Sequence, residues 1–273
     1  MNSNAETDPS TGASFDNQEP LQRAEQDRDG LLYRLKLRDR ELEQARHDLQ
    51  QFVHAASHDL QAPLRLISGF AQLLQKRYRG TLDSKADGFI DVINGETRRM
   101  QMMVQGLTEL SRVESRGAPF VPTSLDASLD QALIHLHAEI RRTNAQIFRE
   151  PLTTVIADPA QMIQLFRHLA GNALCFHGDA PPEIRIRAER QEAFWVITVR
   201  DNGIGIPERF AERVFMIFQK LQPHGQYPGI GIGLAVSKRI VERHGGRIWV
   251  KPGREPGATL CFSLPDRETG NTP

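Results

Sequence analysis

Asp201-Asn202-Gly203-Ile204-Gly205-Ile206-Pro207, followed by Gly229-Ile230-Gly231-Ile232-Gly233-Leu234, decides how this chain folds. Glycine lets backbone N–H groups approach an anion with no Cβ in the way, and a helix N-terminus adds a dipole that favours phosphate. Gly229, Gly231 and Gly233 stand at the start of Ile232 to His244, whose apolar spacing predicts a helix. Two glycine clusters around a short intervening segment describe a nucleotide pocket under a mobile lid. Alone, Gly203-Ile204-Gly205 reads equally well as an ordinary turn after a strand. Asp201 ahead of it and the second cluster behind it favour the pocket. The pair is neither a lysine-bearing phosphate loop nor a dinucleotide fingerprint, because no Gly-Lys-Ser/Thr follows and the order of strand and helix differs.

Around these clusters the texture is mixed. Helical spacing covers Asp126 to Arg142, Pro159 to Phe176 and Ile232 to His244. Alternating patterns predict strands at Ala145 to Arg149, Thr154 to Ala157, Glu183 to Arg190, Phe194 to Arg200, Arg247 to Lys251 and Thr259 to Leu264. Strands interleaved with three helices make a two-layer α/β sandwich over residues 120–266. Gly117-Ala118-Pro119 and Pro122 read as the linker that precedes it.

Upstream the pattern is helical. Leu35, Leu42, Leu49 and Ala56 recur every seven residues, with Leu31, Ala45 and Phe52 in the alternate seam positions, a coiled-coil register. The stripe continues through Val53, Leu60, Leu64, Ile67, Ala71 and Leu74, with Pro63 expected to bend the helix or loosen its bonds. His58 falls midway between Ala56 and Leu60 and therefore points away from the stripe into solvent. Arg79-Gly80-Thr81 reads as a turn, and Phe89, Val92, Ile93, Met100, Met103, Leu107 and Leu110 mark a second helix. One such hairpin cannot cover its own apolar faces, so residues 21–116 are expected to dimerise into a four-helix bundle. Residues 1–20 are polar enough to stay disordered, and 267–273 form a short polar tail.

Composition narrows the class. Among 273 residues, 34 basic side chains balance 34 acidic ones, which removes the long-range field of a nucleic-acid binder and points to a protein partner. Two cysteines, Cys175 and Cys261, cannot make a disulfide framework, and no secretory signal or apolar run of membrane length is found. A cytoplasmic location is expected, with input arriving through the N-terminal region or a separate soluble sensor protein. An exposed histidine such as His58 is, by itself, an ordinary surface residue. His54 and His58 lie one helical turn apart without further ligands, and Cys175 and His177 sit on opposed helix faces, so neither pair makes a metal site.

Five motifs carry a specific resemblance. Ser57-His58-Asp59-Leu60-Gln61-Ala62-Pro63-Leu64-Arg65, Gly171-Asn172-Ala173-Leu174, Asp201 to Pro207, Val214-Phe215-Met216-Ile217-Phe218-Gln219-Lys220-Leu221 and Gly229 to Leu234 stand in one order along the chain. They resemble, in turn, the phosphoacceptor, asparagine, first glycine, phenylalanine and second glycine boxes of the bacterial two-component sensor histidine kinases. The region from Leu31 to Pro265 is similar to their transmitter region, in the phytochrome-like subgroup.

The resemblance implies an ATP-dependent protein histidine kinase, homodimeric, that phosphorylates itself and passes the phosphoryl group to an aspartate on a response regulator receiver domain. His58 would be the nucleophile, with Asp59 orienting its ring or taking its proton. Asn172 would hold Mg²⁺, and Asp201 would accept the adenine amino proton of ATP. Gly203, Gly205, Gly229, Gly231 and Gly233 would give the lid its close approach, Phe215 and Phe218 would anchor it, and Lys220 would meet phosphate charge. Three features depart from the family pattern. His168 replaces an asparagine, Cys175 a basic residue and Ile230 a hydroxyl residue, which implies weakened ATP affinity or turnover. Ala62 lacks the side chain that orients a dephosphorylating water in many relatives, which implies weak phosphatase activity. The competing reading is a catalytically weakened dimeric phosphotransfer or scaffold protein.

Overall fold

The computed structural model describes residues 18–115, 117–221, 227, 229–253 and 256–266, and the chain divides into two compact units, Met1–Phe52 and Val53–Pro273. Helix α1 (Gln18–Tyr78) already includes Gln18, Glu19 and Pro20, so the last three residues of the expected tail are helical. The rest of that tail and the C-terminal one lie outside the described residues. In the first unit the seam residues Leu31, Leu35, Leu42 and Phe52 stand in solvent, between 62% and 71% exposed. The Leu49 side chain of this seam is outside the described residues.

The second unit begins with a helical hairpin. Helix α1 passes through Pro63 without ending, turns at Gly80 (φ 75°), and α2 (Ser84–Ser115) returns. The interior of the hairpin is Ser57, Leu64, Ser68 and Ala71 against Ile90, Asn94, Thr97 and Val104, all buried and spaced three, four or seven residues apart. Thr97 donates to the Ile93 carbonyl at 2.7 Å and Thr108 to that of Val104 at 2.8 Å, so these buried hydroxyls are paired within their own helix. The stripe expected from the sequence is split. Leu64 and Ala71 face α2, whereas Leu60, Ile67 and Leu74 remain 45–50% exposed, because the stripe is wider than one neighbouring helix can cover.

After the hairpin comes an unforeseen strand, β1 (Val121–Ser124), antiparallel to β3 (Thr154–Ala157). Its Pro122 is tolerated because this is a two-stranded ribbon, where β1 has a free edge. The expected helix over Asp126 to Arg142 is two, α3 (Leu125–His135) and α4 (His137–Thr143), broken at Leu136 (φ −98°, ψ 6°). Ser124 starts α3 by accepting from the Ala127 N–H, and Asn144 ends α4 in the left-handed region.

The main sheet has the order β2 (Gln146–Arg149), β4 (Glu183–Gln191), β5 (Phe194–Asp201), β7 (Thr259–Pro265) and β6 (Ile248–Val250). Only the β2–β4 pair is parallel. Ile184, Ile186, Ile197, Val199, Leu260 and Phe262 point inward and pack on Leu129, Phe166, Leu169, Val236 and Ile240 of α3, α5 (Pro159–Cys175) and α6 (Gly233–Arg243). Phe166 and Phe262 meet edge to face, 5.9 Å between centroids. Burying each such side chain contributes about 1.5–3 kcal/mol, which makes this layer the core of the second unit. The fold is thus a helical hairpin followed by a two-layer α/β domain, as the sequence patterns predict.

Asp158 joins these parts. It is 1% exposed, and its Oδ1 caps α5 by accepting from the Ala160 and Gln161 N–H groups. Its Oδ2 accepts from the Ala118 N–H at 2.7 Å and from Arg243 at 3.3 Å, tying the segment after the hairpin to α6. Arg243 also donates to the Ala118 carbonyl and lies over the Phe120 ring at 4.6 Å.

Candidate functional site

His58 lies on α1, and its side chain is 79% exposed. Its Nδ1 is 3.2 Å from Asp59 Oδ1, a distance at which the carboxylate accepts the Nδ1–H and leaves the lone pair on Nε2. In that tautomer Nε2 would be open to solvent and available as a nucleophile.

The second part of the site is a cleft of about 410 Å³ between α5, α6 and the segment that joins β5 to α6. Of the residues singled out by sequence, Asn172, Asp201, Gly205, Lys220, Gly229, Gly231 and Gly233 line it together. Gly203 is buried beside it, and its N–H donates to Asp201 Oδ1 at 2.9 Å. His58 and Asp59 are not among the cleft walls.

Asp201 ends β5 at the closed side of the cleft. Burial pushes its carboxyl above the usual range, opposed by N–H groups of Ala258 and Gly203 that both donate to Oδ1. Such a carboxylate, held by backbone in an apolar wall, is suited to accept a hydrogen bond from an exocyclic amine of a base. Ala258 is a partner that sequence reading missed, since only the β5–β7 pairing brings it there.

The opposite side suits phosphate. Ile232 precedes α6 without any side-chain cap, so the first N–H groups of the helix have no side-chain acceptor where the glycines open it. Gly231 has φ 75°, and a Cβ placed on it would meet the Gln219 carbonyl oxygen at 2.3 Å; the bend requires glycine. Residues 222–226 and 228 of the expected lid are outside the described residues. Phe215 is buried against the core, as expected of an anchor, whereas Phe218 is 39% exposed with φ 62°. Lys220 donates to the Tyr227 carbonyl at 2.9 Å, so its ammonium group braces the lid as well as facing the cleft.

The donor set fits a nucleotide with a hard cation. The glycine turn and the uncapped helix end could receive phosphate, and the Asn172 amide oxygen is of the type that could serve as a Mg²⁺ ligand. Beside it stands His168. Burial, then the Arg167 charge, lowers its pKa from 6.5 to about 4, so the imidazole is neutral at ordinary pH. Its Nε2 is buried with no hydrogen-bond partner, and Glu109 Oε2 of α2 lies 3.7 Å away, beyond bonding reach. Burial outweighs that carboxylate, which Arg167 also engages at 3.8 Å. On its other side, Nδ1 is 3.1 Å from where a Cβ on Gly233 would sit. His168 is therefore wedged between α2 and the glycine turn that opens α6. Cys175 also lines the cleft, its thiol pushed up by burial.

Comparison with known proteins agrees with this division. Residues 48–116 match the His Kinase A (phospho-acceptor) domain, and 157–268 match the Histidine kinase-, DNA gyrase B-, and HSP90-like ATPase family. Cyanobacterial phytochrome A of Nostoc sp. is 41% identical over 82% of this chain and 29% of its own length. Phytochrome-like protein Cph1 of Synechocystis sp. is 40% identical over 83% of this chain and 30% of its own. The chain thus spans less than a third of these relatives. Among solved structures, histidine kinase ThkA in complex with response regulator protein TrrA is similar in fold, with TM-score 0.58 and 22% identity over 85% of this chain and 67% of that one. A full-length ShkA complex with AMPPNP gives TM-score 0.59 and 21% identity over 79% of this chain and 45% of that one. With a phosphoacceptor hairpin and an ATPase-type cleft matched in succession, the chain belongs to the sensor histidine kinases, as their transmitter region.

Proposed function

We propose that this transmitter region uses ATP and Mg²⁺ to phosphorylate His58 and passes the phosphoryl group to an aspartate of a response regulator. The observation that carries it is an exposed histidine, its Nδ1 3.2 Å from Asp59 Oδ1, in the same chain as a glycine-lined cleft that also holds Asn172 and Asp201. Nε2 attacks the γ-phosphorus, the bond to the bridging oxygen breaks, and ADP leaves with the electron pair. Asp59 stabilises the positive ring and takes the Nδ1 proton, leaving a neutral phosphoramidate. Asp201 positions the base, the α6 N-terminus and glycines hold the phosphates, and Mg²⁺ on Asn172 would neutralise the developing charge.

Because His58 is not a wall of the cleft, transfer needs either a rearrangement of the ATP-binding domain or the cleft of a second copy. The exposed apolar row of Leu60, Ile67, Phe70, Leu74, Phe89 and Ile93 supports a homodimer, in which the paired hairpins form a four-helix bundle. Among the described residues no helix is long and apolar enough to cross a membrane. As part of the same proposal, the kinase is cytoplasmic and takes its input through the N-terminal region or a separate soluble sensor protein.

The experiment mixes His58→Gln with Asn172→Ala subunits and adds labelled ATP, Mg²⁺ and a purified receiver domain. Label in the mixed dimer and then on the receiver is the expected result for transfer between subunits. Label only in unmixed wild type assigns transfer within one subunit, and no label in either the mixture or unmixed wild type removes the kinase reading. The second reading, a catalytically weakened phosphotransfer or scaffold protein, is favoured by His168 and Cys175 beside Asn172. It predicts no saturable, Mg²⁺-dependent binding of a fluorescent ATP analogue.

A further inference from the structure

We propose that helix α2 supports the phosphate side of the cleft from outside, with Gly106 as a positioning residue, so that the packing of the hairpin sets the affinity for the nucleotide. This rests on the nucleotide reading of the cleft and adds how that cleft is regulated.

Gly106 is buried in the interior of α2, where only proline is a poorer helix former. The position needs the space. A Cβ on it would meet two methyl carbons of Ile232, Cδ1 and Cγ2, at 2.7 Å each, and Ile230 Cδ1 at 3.2 Å. Ile232 is 7% exposed and immediately precedes α6, and its carbonyl accepts from the Val236 N–H at 3.0 Å, which begins the helix. The turn that cradles phosphate in this reading is thus held residue by residue. Gly231 abuts the Gln219 carbonyl, Gly233 abuts the His168 ring of α5, and Ile232 between them abuts α2. Ile230, standing where the family pattern has a hydroxyl residue, adds an apolar arm to the contact with the hairpin.

Helix α2 is well placed to carry a signal to this turn. Val104 and Thr108 are buried on its α1 side, whereas Gly106 and Val113 lie about half a turn round the helix and face the ATP-binding domain. Val113 belongs to the core, and its carbonyl accepts from Gln161 Nε2 at 2.6 Å. Gln161 Oε1 in turn accepts from Arg243 at 2.9 Å, so this end of α2 is fixed to both α5 and α6. Gly106 stands two turns, about 10 Å, nearer the body of the hairpin. A tilt of α2 about Val113 therefore presses on Ile232 or withdraws from it, and either movement shifts the uncapped N–H groups at the start of α6. The cleft is walled by Ile230 and Ile232 and by no described residue of α2, so the helix acts on the nucleotide through these side chains. By linkage, bound nucleotide acts back on α2 to the same extent.

Hydrogen exchange of the full chain, with and without a non-hydrolysable ATP analogue and Mg²⁺ at saturation, tests this on the wild type. Amides of residues 104–113 should slow more than those of 84–95, at the other end of the same helix. In Gly106→Ala the affinity for the analogue, measured by calorimetry, should fall about tenfold with helix content kept, and the added protection at 104–113 should shrink. Gly106→Ala/Ile232→Ala makes room for the methyl and should recover most of the affinity. Equal slowing along the whole of α2, an affinity that Gly106→Ala leaves unchanged, or a double variant that binds no better than Gly106→Ala overturns the proposal and leaves the nucleotide reading in place. If Gly106→Ala fails to fold, the exchange difference in the wild type decides. A wild type that binds no analogue removes the nucleotide reading, and this proposal with it.

Discussion

His168 offers a pH test of how the hairpin and the nucleotide cleft are built together. Its imidazole is neutral in the folded protein, with a pKa lowered to about 4, and returns to the ordinary 6.5 when the chain unfolds. Between these values the unfolded state binds the extra proton, so stability falls as pH drops below about 6.5 and levels off below about 4. From pH 7 to pH 5 the linkage amounts to about 2 kcal/mol, and to about 3 kcal/mol over the whole window. Urea unfolding of the metal-free protein at pH 7, 6 and 5, beside His168→Asn, isolates this, since the other titrating groups are shared. The gap between the two curves should move by about 2 kcal/mol in favour of the variant as pH falls. Parallel curves would show that His168 already carries a proton or faces solvent, and the wedge described above would be wrong.

Other outcomes follow from the same contacts. Asp158→Ala removes the α5 cap and leaves Arg243 and the Ala118 N–H without their acceptor, so it should cost about 3–5 kcal/mol. Asp158→Asn should cost clearly less, and equal losses by denaturant unfolding would mean the carboxylate charge is the whole effect. Gly231→Ala places a methyl against the Gln219 carbonyl in a left-handed bend and should weaken a fluorescent ATP analogue about tenfold or more at little cost in helix content. Unchanged affinity would remove Gly231 from the cradle. Ala62, exposed on α1 four residues after His58, carries no group to orient water, so decay of a phosphorylated receiver should be the same with and without this protein. Strong acceleration would contradict that.

The strands around the glycine clusters were legible because their alternation is strong: Ile184 and Ile186 face in while Arg185 and Arg187 face out, and the observed ends differ from the expected ones by a residue or so. Strand β1 was hidden by Pro119 and Pro122, which suggest a linker until the pairing with β3 is known. The break at Leu136 has no local marker in the sequence; its N–H is satisfied by Ala132 and Leu133 carbonyls in both settings. That the glycines, Asn172 and Asp201 would meet in one cleft was readable because each stands in a short motif of its own beside a predicted helix or strand end. The wedge of His168 against Glu109 was not, because two distant helices create it. The facing of Arg185 and Arg200 was likewise visible only as the polar half of two alternations, until strand register set them opposite one another.

Incubating the protein with γ-labelled ATP and Mg²⁺, then locating the label, addresses the central claim most directly. An acid-labile, alkali-stable phosphoryl group on the peptide that carries His58, absent from His58→Gln, is the predicted result. Label that persists in His58→Gln, or that sits on any other residue of the wild type, contradicts it.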